Sequence, residues 1–310
     1  MVADGLEQLP ERSSLQTRTL RYNTAPRLQL LGLAEHWEDA RLDADFGQAV
    51  ATVTASPNVL AFAVEGGRRT TSFVVNGLPI SPISDGQPLT FFARESASAP
   101  FACVAAAPTC QAGALRKVPG LQGPMDDAFM APFLVVMPES VSSGAASAVD
   151  RWVESEMYHL LNRWAGLFRG QARCKAASEV TAQDKLDYNL ILWGTPSSNP
   201  LVADFMSTPG LPLVWESGPT GTSKLLMGTQ AFSGGGAVPQ IIFPSKFGPG
   251  RYVLLNSGTT FREGHDGTNS MQNPKLPDWA VIDASGPPPN ATQPGAVLSA
   301  GFMDDQWQCK

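Results

Sequence analysis

A polar loop follows a predicted buried strand in the last fifth of the chain, and it gathers three groups that catalysis uses. Ser257 carries a hydroxyl, His265 an imidazole and Asp266 a carboxylate, and all three follow the strand predicted at residues 252–255. In open α/β sheets, ligands bind beyond the carboxyl ends of the strands. An imidazole can move protons near neutral pH and can activate a serine. Ser257, His265 and Asp266 are therefore the candidate catalytic residues. The alternative is an ordinary solvated loop.

Two adjacent carboxylates, Asp126 and Asp127, precede the apolar run at residues 133–137. Ca²⁺ takes oxygen ligands from flexible loops, so this pair is the candidate metal site and Ca²⁺ the suggested cofactor. The structural alternative is that the carboxylates cap loop amides or pair with Arg116 and Lys117. The pattern favours the structural alternative, and both alternatives predict that the pair matters to the integrity of the fold.

The remaining histidines, His36 and His159, carry weaker signals. His36 lies in the β-rich first part of the chain, and His159 lies beside the apolar stripe of a predicted helix. Structural roles are favoured for both. The sequence contains no G-x-S-x-G, G-x-G-x-x-G or H-E-x-x-H motif. Since α/β-hydrolases expose their serine on a G-x-S-x-G turn, no such triad is predicted here.

Short alternating apolar segments, separated by turn residues such as Asn76 and Gly77, occupy the first part of the chain. Strands are predicted at residues 19–22, 27–31, 40–45, 49–54, 59–64 and 72–75. Regularly spaced short strands indicate an antiparallel sandwich. We predict an immunoglobulin- or fibronectin-like β-sandwich domain over residues 1–95. Residues 96–123 are rich in Ala, Pro and Gly, and they are predicted to be a linker or surface excursion.

From residue 124 onwards the pattern changes to longer apolar runs that alternate with a helical pattern. A helix capped by Ser147 and Asp150 is predicted through residue 168, and a shorter one at residues 201–205. Strands are predicted at residues 133–137, 190–193, 213–215, 240–243, 252–255 and 279–282. Strand and helix in alternation predict an α/β three-layer domain with a mostly parallel sheet over residues 124–310.

Composition and charge exclude several classes of partner. The chain has a net charge of −6 and no cluster of Lys and Arg, so it lacks the basic face that nucleic-acid binding requires. No apolar run approaches the roughly 20 residues that span a bilayer. The first residues lack the basic and apolar regions of a signal peptide, as expected for a chain that begins within a longer protein. We therefore expect neither nucleic acid nor membrane as a partner.

The four cysteines are Cys103, Cys110, Cys174 and Cys309, and their spacing fits no zinc site. Cys103 and Cys110 can close a short loop in an oxidising compartment. The alternative is that they are free thiols in packed or loop positions. The sequence leaves the pairing open.

The chain resembles the C-terminal, non-triad region of secreted prolyl-oligopeptidase-like α/β-hydrolase proteins of planctomycete-type bacteria. The resemblance covers most of the chain, and its stretches are residues 17–23, 33–41, 56–62, 115–130 (LRKVPGLQGPMDDAFM), 187–194, 252–263 (YVLLNSGTTFRE) and 274–283. It implies a secreted or periplasmic parent protein whose catalytic serine and histidine precede this region. Where the family tends to show Asp after the strand-end glycine, this chain has Thr195, so the role of that carboxylate is in doubt.

Three function hypotheses follow. The first is an accessory, substrate-positioning region of a prolyl-oligopeptidase-like hydrolase, with no chemistry of its own. The second is a free-standing small hydrolase of ester or lactone substrates, including acyl-lactones, that depends on a cation or on the neighbourhood of Ser257. The third is a carbohydrate-binding module, for which Trp152, Trp164, Trp193 and Trp215 would supply aromatic faces. The corresponding partners are a small ester or lactone, a peptide, or a glycan.

Overall fold

The computed structural model describes residues 10–47, 49–66, 70–83, 88–110, 115–139, 147–217, 223–258, 276–286 and 294–309. The chain divides into two compact units. The first comprises Met1–Cys110 with Arg116–Gln122, and the second comprises Gln111–Leu115 with Gly123–Lys310. Each unit is described by itself below.

The first unit is built from short strands. In chain order the described strands are β1 (Arg12–Thr17), β2 (Thr24–Ala25), β3 (Leu28–Leu33), β4 (Ala40–Phe46), β5 (Val50–Ala55), β6 (Val59–Glu65), β7 (Ser72–Val75), β8 (Leu78–Ile80), β9 (Leu89–Ala93) and β10 (Ala102–Val104). They form two five-stranded sheets, ordered β1-β4-β5-β7-β8 and β10-β9-β6-β3-β2. Strand β10 falls within residues 96–123, so part of the predicted linker is a strand paired with β9.

One apolar core joins the two sheets. Along β4 every second residue is buried, as expected for a strand with one face toward a core. Strands of both sheets contribute to the same buried cluster. At its centre the ring of Phe92 stacks on that of Phe62 at 5.0 Å and meets that of Phe73 edge-on at 5.1 Å. Each buried aromatic contributes about 1.5–3 kcal/mol, so this cluster holds the two sheets together. Strands β5 and β7 are parallel, which departs from the antiparallel pairing expected throughout.

The strand predicted at residues 19–22 is wrong. The structure places a short 3₁₀-helix at Leu20–Tyr22, and the hydroxyl of Thr19 accepts a hydrogen bond from the amide of Arg21 at 3.2 Å. Threonine favours both strands and helix N-caps, so its presence in a short apolar segment does not separate the two.

The second unit contains a mixed sheet and a small meander. Its described strands are β11 (Phe133–Met137), β12 (Cys174–Ala176), β13 (Asn189–Leu192), β14 (Leu213–Ser217), β15 (Ser223–Met227), β16 (Gln230–Ser233), β17 (Ala237–Pro244), β18 (Tyr252–Leu255), β19 (Trp279–Asp283) and β20 (Ala296–Gly301). Seven of them form a sheet ordered β12-β11-β13-β18-β17-β19-β20, and β14, β15 and β16 form a three-stranded meander.

Helices connect the first strands of this sheet. In the described residues they are α1 (Ala148–Phe168), α2 (Ala182–Asp187) and α3 (Pro200–Phe205), with 3₁₀-helices at Met125–Phe129 and Ala177–Glu179. The predicted start of α1 is confirmed. The hydroxyl of Ser147 accepts a hydrogen bond from the amide of Asp150 at 3.0 Å, and the Asp150 carboxylate accepts one from the amide of Ser147 at 3.1 Å. None of the described helices is long and apolar enough to cross a membrane.

The strand directions in this sheet are evenly mixed. Pairs β11–β12, β11–β13 and β13–β18 are parallel, whereas β17–β18, β17–β19 and β19–β20 are antiparallel. A mostly parallel sheet is therefore not confirmed. The reason lies in the connections, because a parallel pair needs a crossover of a dozen residues or more. Strands β17 and β18 are joined directly through residues 245–251, which permits only an antiparallel return. The three-layer arrangement stays a prediction.

Candidate functional site

The carboxyl ends of several strands meet at one edge of the seven-stranded sheet. Strands β11, β13 and β18 are parallel neighbours. Strand β19 runs in the same direction as β18, because both are antiparallel to β17. We call this the carboxyl edge, and it consists of the described residues that follow these strands, namely 138–139, 193–199, 256–258 and 284–286.

The order of the strands reverses beside β11. The chain passes from β11 to β12 on one side and then to β13 on the other side of β11. Ligands of open α/β sheets bind where the strand order reverses in this way. The loops after β11 and β13 are in contact there, since the amide of Glu139 donates to the carbonyl of Ser198 at 2.9 Å. This position is the candidate binding site within the carboxyl edge.

A side-chain clamp fixes the loops after β13 and β18 to each other. The side-chain nitrogen Nδ2 of Asn256 donates to the carbonyl of Gly194 at 3.0 Å, and its side-chain oxygen Oδ1 accepts from the backbone amide of Gly194 at 2.9 Å. Asn256 is fully buried and has a φ of 50°, a left-handed conformation that Asn tolerates better than most residues. Gly194 has a φ of 122°, and a Cβ there would lie 2.8 Å from the hydroxyl of Ser198. The edge is therefore rigid at its centre.

Hydroxyl groups line the loop after β13. The hydroxyl of Thr195 lies 2.8 Å from that of Ser197 and 3.1 Å from that of Ser198. Thr195 is buried and Ser197 is exposed. The loop then ends at Asn199, whose side chain caps α3 by accepting from the amide of Leu201 at 2.9 Å. The arrangement offers fixed neutral donors and acceptors, of the kind that orient a polar ligand.

The carboxylate of Glu139 adds a negative charge near these hydroxyls. Its Oε1 accepts a hydrogen bond from the amide of Ser178 at 2.8 Å, while its own amide is bound to the loop after β13. Since two separate segments hold this residue, its position is well defined. Sequence reasoning missed Glu139, although its place two residues after the end of β11 is the signal that could have found it.

Ser257 lies at the carboxyl edge, but its hydroxyl does not face a ligand. The side chain is buried, and the hydroxyl donates toward the sulfur of Met125 at 3.3 Å and the carbonyl of Gly258 at 3.1 Å. A nucleophile needs an accessible oxygen within reach of a base. His265 and Asp266 lie outside the described residues. Ser257 thus follows β18 as expected, but its hydroxyl points into the protein and not towards a ligand.

Asp127 is tied into the sheet by hydrogen bonds. The hydroxyl of Tyr252 donates to Oδ2 of Asp127 at 2.6 Å and accepts from the amide of Gly123 at 3.1 Å. The neighbouring Asn189 donates to the carbonyl of Ala128 at 2.8 Å and accepts from the amide of Tyr252 at 3.0 Å. Together these bonds fix the 3₁₀-helix Met125–Phe129 against β13 and β18.

Asp126 lies in the same 3₁₀-helix and, like Asp127, is buried. Within the described parts of the chain, no group of three or more His, Cys, Asp or Glu side chains is placed to hold a metal ion. The bond from Tyr252 gives Asp127 a structural role, while the capping of loop amides or pairing with Arg116 and Lys117 stays a prediction. The calcium alternative stays a prediction.

The histidine of the first unit is buried and neutral. The Nε2 of His36 lies 3.4 Å from the hydroxyl of Thr19, and the imidazole meets the ring of Trp37 edge-on at 5.5 Å. Burial, and secondarily the positive charge of Lys117, lower the pKa of His36 to about 3. These contacts are structural, and an imidazole with so low a pKa is a poor base.

Cys103, Cys174 and Cys309 are free thiols in the described part of the chain, so a bridge from Cys103 to Cys110 is not formed. Burial, with a smaller contribution from Asp278 and Asp304, raises the pKa of Cys309 to about 12. Because the thiolate is the reactive form, Cys309 is inert near neutral pH.

The four tryptophans of the carbohydrate-binding hypothesis offer little surface to a sugar. Trp152, Trp193 and Trp215 are buried, and the rings of Trp152 and Trp193 are 6.4 Å apart inside the second unit. Trp164 is partly exposed and packs on the ring of Phe168 at 4.3 Å. Carbohydrate recognition through stacked aromatic faces needs exposed rings, so this geometry does not favour the carbohydrate-binding hypothesis.

A cavity lies where the first turns of α1 meet residues 284–286. Its volume is about 280 Å³, and the residues that line it include Arg151, Trp152, Ser155, Glu156 and Ser285. Sequence reasoning missed it. The available signal was Glu156, a charged residue at helical spacing from Trp152 and therefore on a buried face of α1.

Comparisons with protein-family models, with curated proteins and with solved structures find no match for this chain.

Proposed function

We propose that this chain is the accessory, substrate-positioning C-terminal region of a prolyl-oligopeptidase-like hydrolase. In this proposal the first unit is an immunoglobulin- or fibronectin-like sandwich and the second a three-layer α/β domain. The carboxyl edge of the second unit orients a substrate whose bond is cleaved by residues elsewhere in the parent protein. The substrate is a peptide, a glycan or a small ester or lactone, and the parent protein is secreted or periplasmic.

One observation carries the proposal. The polar groups of the carboxyl edge are fixed by bonds to each other, as between Asn256 and Gly194, while the hydroxyl of Ser257 is turned into the protein against Met125. Fixed neutral donors and acceptors are suited to orienting a ligand. A buried hydroxyl bonded to a thioether is not suited to attack on a carbonyl carbon. The resemblance of the sequence to the non-triad region of such hydrolases supports the same conclusion.

The second candidate is a free-standing hydrolase of esters or lactones, with Ser257, His265 and Asp266 as catalytic residues and Ca²⁺ at Asp126 and Asp127. The position of Ser257, directly after β18 at the carboxyl edge, favours it. This candidate requires the hydroxyl of Ser257 to leave Met125 when a substrate binds.

A turnover assay separates the two candidates. The purified chain is incubated with a panel of esters, lactones and short peptides, with added Ca²⁺ and with chelator. Our proposal predicts no product above the blank in either condition. Turnover that falls at least roughly 10²-fold in both Ser257→Ala and His265→Ala, the usual size of an acid–base contribution, would overturn it. Ser233→Ala, which removes an exposed hydroxyl of β16 away from the edge, is the matched control.

A further inference from the structure

Several large apolar side chains are exposed together where α1 ends in the second unit. Met130, Leu167 and Phe168 are 63%, 43% and 59% exposed. Single exposed apolar residues are common on protein surfaces, whereas several in one place mark a binding surface. This group carries an inference that does not depend on the hydrolase proposal.

Ring contacts connect these residues to the sheet. The ring of Phe168 packs on that of Trp164 at 4.3 Å, and the Trp164 ring meets that of Phe133 edge-on at 4.8 Å. Phe133, the first residue of β11, meets the ring of Phe129 edge-on at 5.0 Å. Met130 directly follows Phe129 in the chain. The exposed side chains therefore lie in or next to one aromatic cluster that is anchored on β11.

Two exposed arginines lie at the same end of the sheet. Arg169 directly follows Phe168 and ends α1 in a left-handed conformation with a φ of 57°. Arg173 precedes β12, which is parallel to β11, and the carbonyl of Arg173 accepts from the amide of Val135 at 2.9 Å. Its guanidinium lies 5.5 Å from the centroid of the Tyr188 ring. Both arginines are exposed.

We call Met130, Leu167, Phe168, Arg169 and Arg173 the basic apolar patch. The segment that carries most of it is basic although the chain is acidic. Residues 157–178 contain three arginines and one lysine but no Asp or Glu, whereas the whole chain has a net charge of −6.

The charge of the patch selects its partner. The ammonium of Lys175 lies 2.6 Å from the carboxylate of Asp184, so these two charges balance each other. Arg169 and Arg173 remain as exposed cations. An anionic partner therefore matches the patch. A second copy of the chain does not, because a two-fold interface would bring the arginines of both copies together.

We propose that the basic apolar patch binds the surface of a bilayer that contains anionic lipids. Met130, Leu167 and Phe168 enter the boundary between headgroups and acyl chains, while Arg169 and Arg173 pair with lipid phosphates. Protruding side chains enter a fluid apolar phase without a matching pocket, which a protein partner would have to supply. The expectation against a membrane partner rested on the lack of a spanning segment, and association at the headgroup level requires none.

Vesicle sedimentation of the full chain tests this proposal. Vesicles of phosphatidylcholine with about 30% phosphatidylglycerol are compared with vesicles of phosphatidylcholine alone, at about 50 mM NaCl. We expect the chain to sediment with the anionic vesicles and to bind the neutral ones at least tenfold more weakly. About 500 mM NaCl should release it, because salt screens exposed charges. No sedimentation with anionic vesicles, or equal binding to both compositions, overturns the proposal.

Substitutions show whether this patch makes the contact. Phe168→Ser and Met130→Ser should each weaken vesicle binding about fivefold through lost apolar burial. Arg169→Gln should weaken it about fivefold through the lost charge. The matched controls lie in the first unit, where Ile83 is 62% exposed and Arg12 is an exposed arginine. Ile83→Ser and Arg12→Gln should leave vesicle binding unchanged.

Because Phe168 also packs inside the aromatic cluster, Met130→Ser decides if Phe168→Ser melts below the wild type. Unchanged vesicle binding in both Met130→Ser and Arg169→Gln would overturn the proposal.

An acidic polypeptide is the other partner that the charge of the patch allows. A fluorescent peptide of about eight glutamates is titrated into the same protein, with fluorescence anisotropy as the readout. Such a peptide offers nothing to the apolar side chains, so we expect no saturable binding up to about 1 mM. Saturable peptide binding without sedimentation on anionic vesicles would overturn the proposal and assign the patch to an acidic protein.

Discussion

The two units bury charges of opposite sign. In the described part of the first unit the buried charged side chains are cationic, Arg94 and Lys117. In the described part of the second unit they are carboxylates, namely Asp126, Asp127, Glu156, Asp184, Asp278 and Asp305. A buried charge persists only where hydrogen bonds or opposite charges compensate its lost hydration. The two units must therefore differ in the groups that compensate their buried charges.

In the first unit the compensation comes from the backbone. The guanidinium of Arg94 donates to the carbonyls of Val59 at 2.8 Å, Ala97 at 2.8 Å, and Ser56 and Pro57 at 2.9 and 2.7 Å. The buried guanidinium of Arg94 thus connects several backbone segments, and its donors are already used in these bonds. In the second unit Asp127 is held by Tyr252, and Glu156 faces a cavity.

The largest expected effect on stability is that of replacing Arg94. Arg94→Met leaves the carbonyls of Ser56, Pro57 and Val59 without this donor, and each buried unsatisfied group costs about 1–3 kcal/mol. We expect the free energy of unfolding of the first unit to fall by roughly 3 kcal/mol or more, measured by denaturant titration. Arg12→Met, which removes an exposed ion pair with Asp45, should change it by less than about 0.5 kcal/mol. Equal effects of the two substitutions would contradict this interpretation of Arg94.

The corresponding test in the second unit removes the hydroxyl that binds Asp127. Tyr252→Phe deletes a charge-assisted hydrogen bond and leaves a buried carboxylate without that donor, so we expect a loss of about 1.5–3 kcal/mol. Asp127→Ala should lower the melting temperature by several degrees for the same reason, and Asp126→Ala is expected to do likewise. The structural alternative predicts the same loss with and without chelator. A wild type that melts lower in chelator, with variants insensitive to it, would instead indicate a calcium site.

Acid should weaken the first unit before the second. The pKa of His36 is lowered to about 3 in the folded protein, so between pH 6.5 and 3 the imidazole binds a proton in the unfolded chain but not in the folded one. Burial of the neutral imidazole costs the fold no stability above the ordinary pKa near 6.5. The free energy of unfolding then decreases as the pH falls from about 6.5 towards 3, because only the unfolded chain is protonated there. The loss is about 1.4 kcal/mol per pH unit, hence roughly 2 kcal/mol at pH 5.

The second unit contains a carboxylate whose contribution to stability is lost only at lower pH. Hydrogen bonds from Lys175 and Thr181 lower the pKa of Asp184 to about 2, so its contribution is present above its usual range and is lost only as the pH falls through about 4 towards 2. Hydrogen exchange of the amides of β6 and β13 at pH 7 and pH 5 measures this difference. Protection that falls first in β13 would contradict the order.

The smallest expected effect concerns the cap of α1. Ser147→Ala removes the hydroxyl that accepts from the amide of Asp150, and a lost N-cap costs about 1 kcal/mol. The melting temperature of the second unit should fall by a few degrees, measured by circular dichroism. A fall as large as that of Tyr252→Phe would mean that the cap supports more than the first turn.

Local patterns predicted much of this structure. The continuous apolar run Phe133–Met137 is strand β11 as expected, and the pair Ser147 and Asp150 marks the start of α1. The direction of β17 was not predictable, because all its residues are buried, and a strand covered on both faces shows the same pattern in parallel and antiparallel sheets.

The site was predicted less well than the fold. The sequence placed Ser257 correctly after β18, but the direction of its hydroxyl depends on Met125, which is 132 positions away in the chain. The bond between Tyr252 and Asp127 spans 125 positions. Contacts of this kind arise from the tertiary packing, and no local spacing encodes them.

The central claim is that the carboxyl edge binds a substrate without cleaving it, and one NMR titration tests this most directly. Short peptides and an ester are mixed with the wild-type chain, and their signals report binding and product formation in the same sample. We predict that ligand signals broaden with wild type and with Ser233→Trp, an exposed position on β16, but not with Ser197→Trp, which fills the edge. No product should form above the blank. Product that disappears in Ser257→Ala, or broadening that survives in Ser197→Trp, would contradict the account.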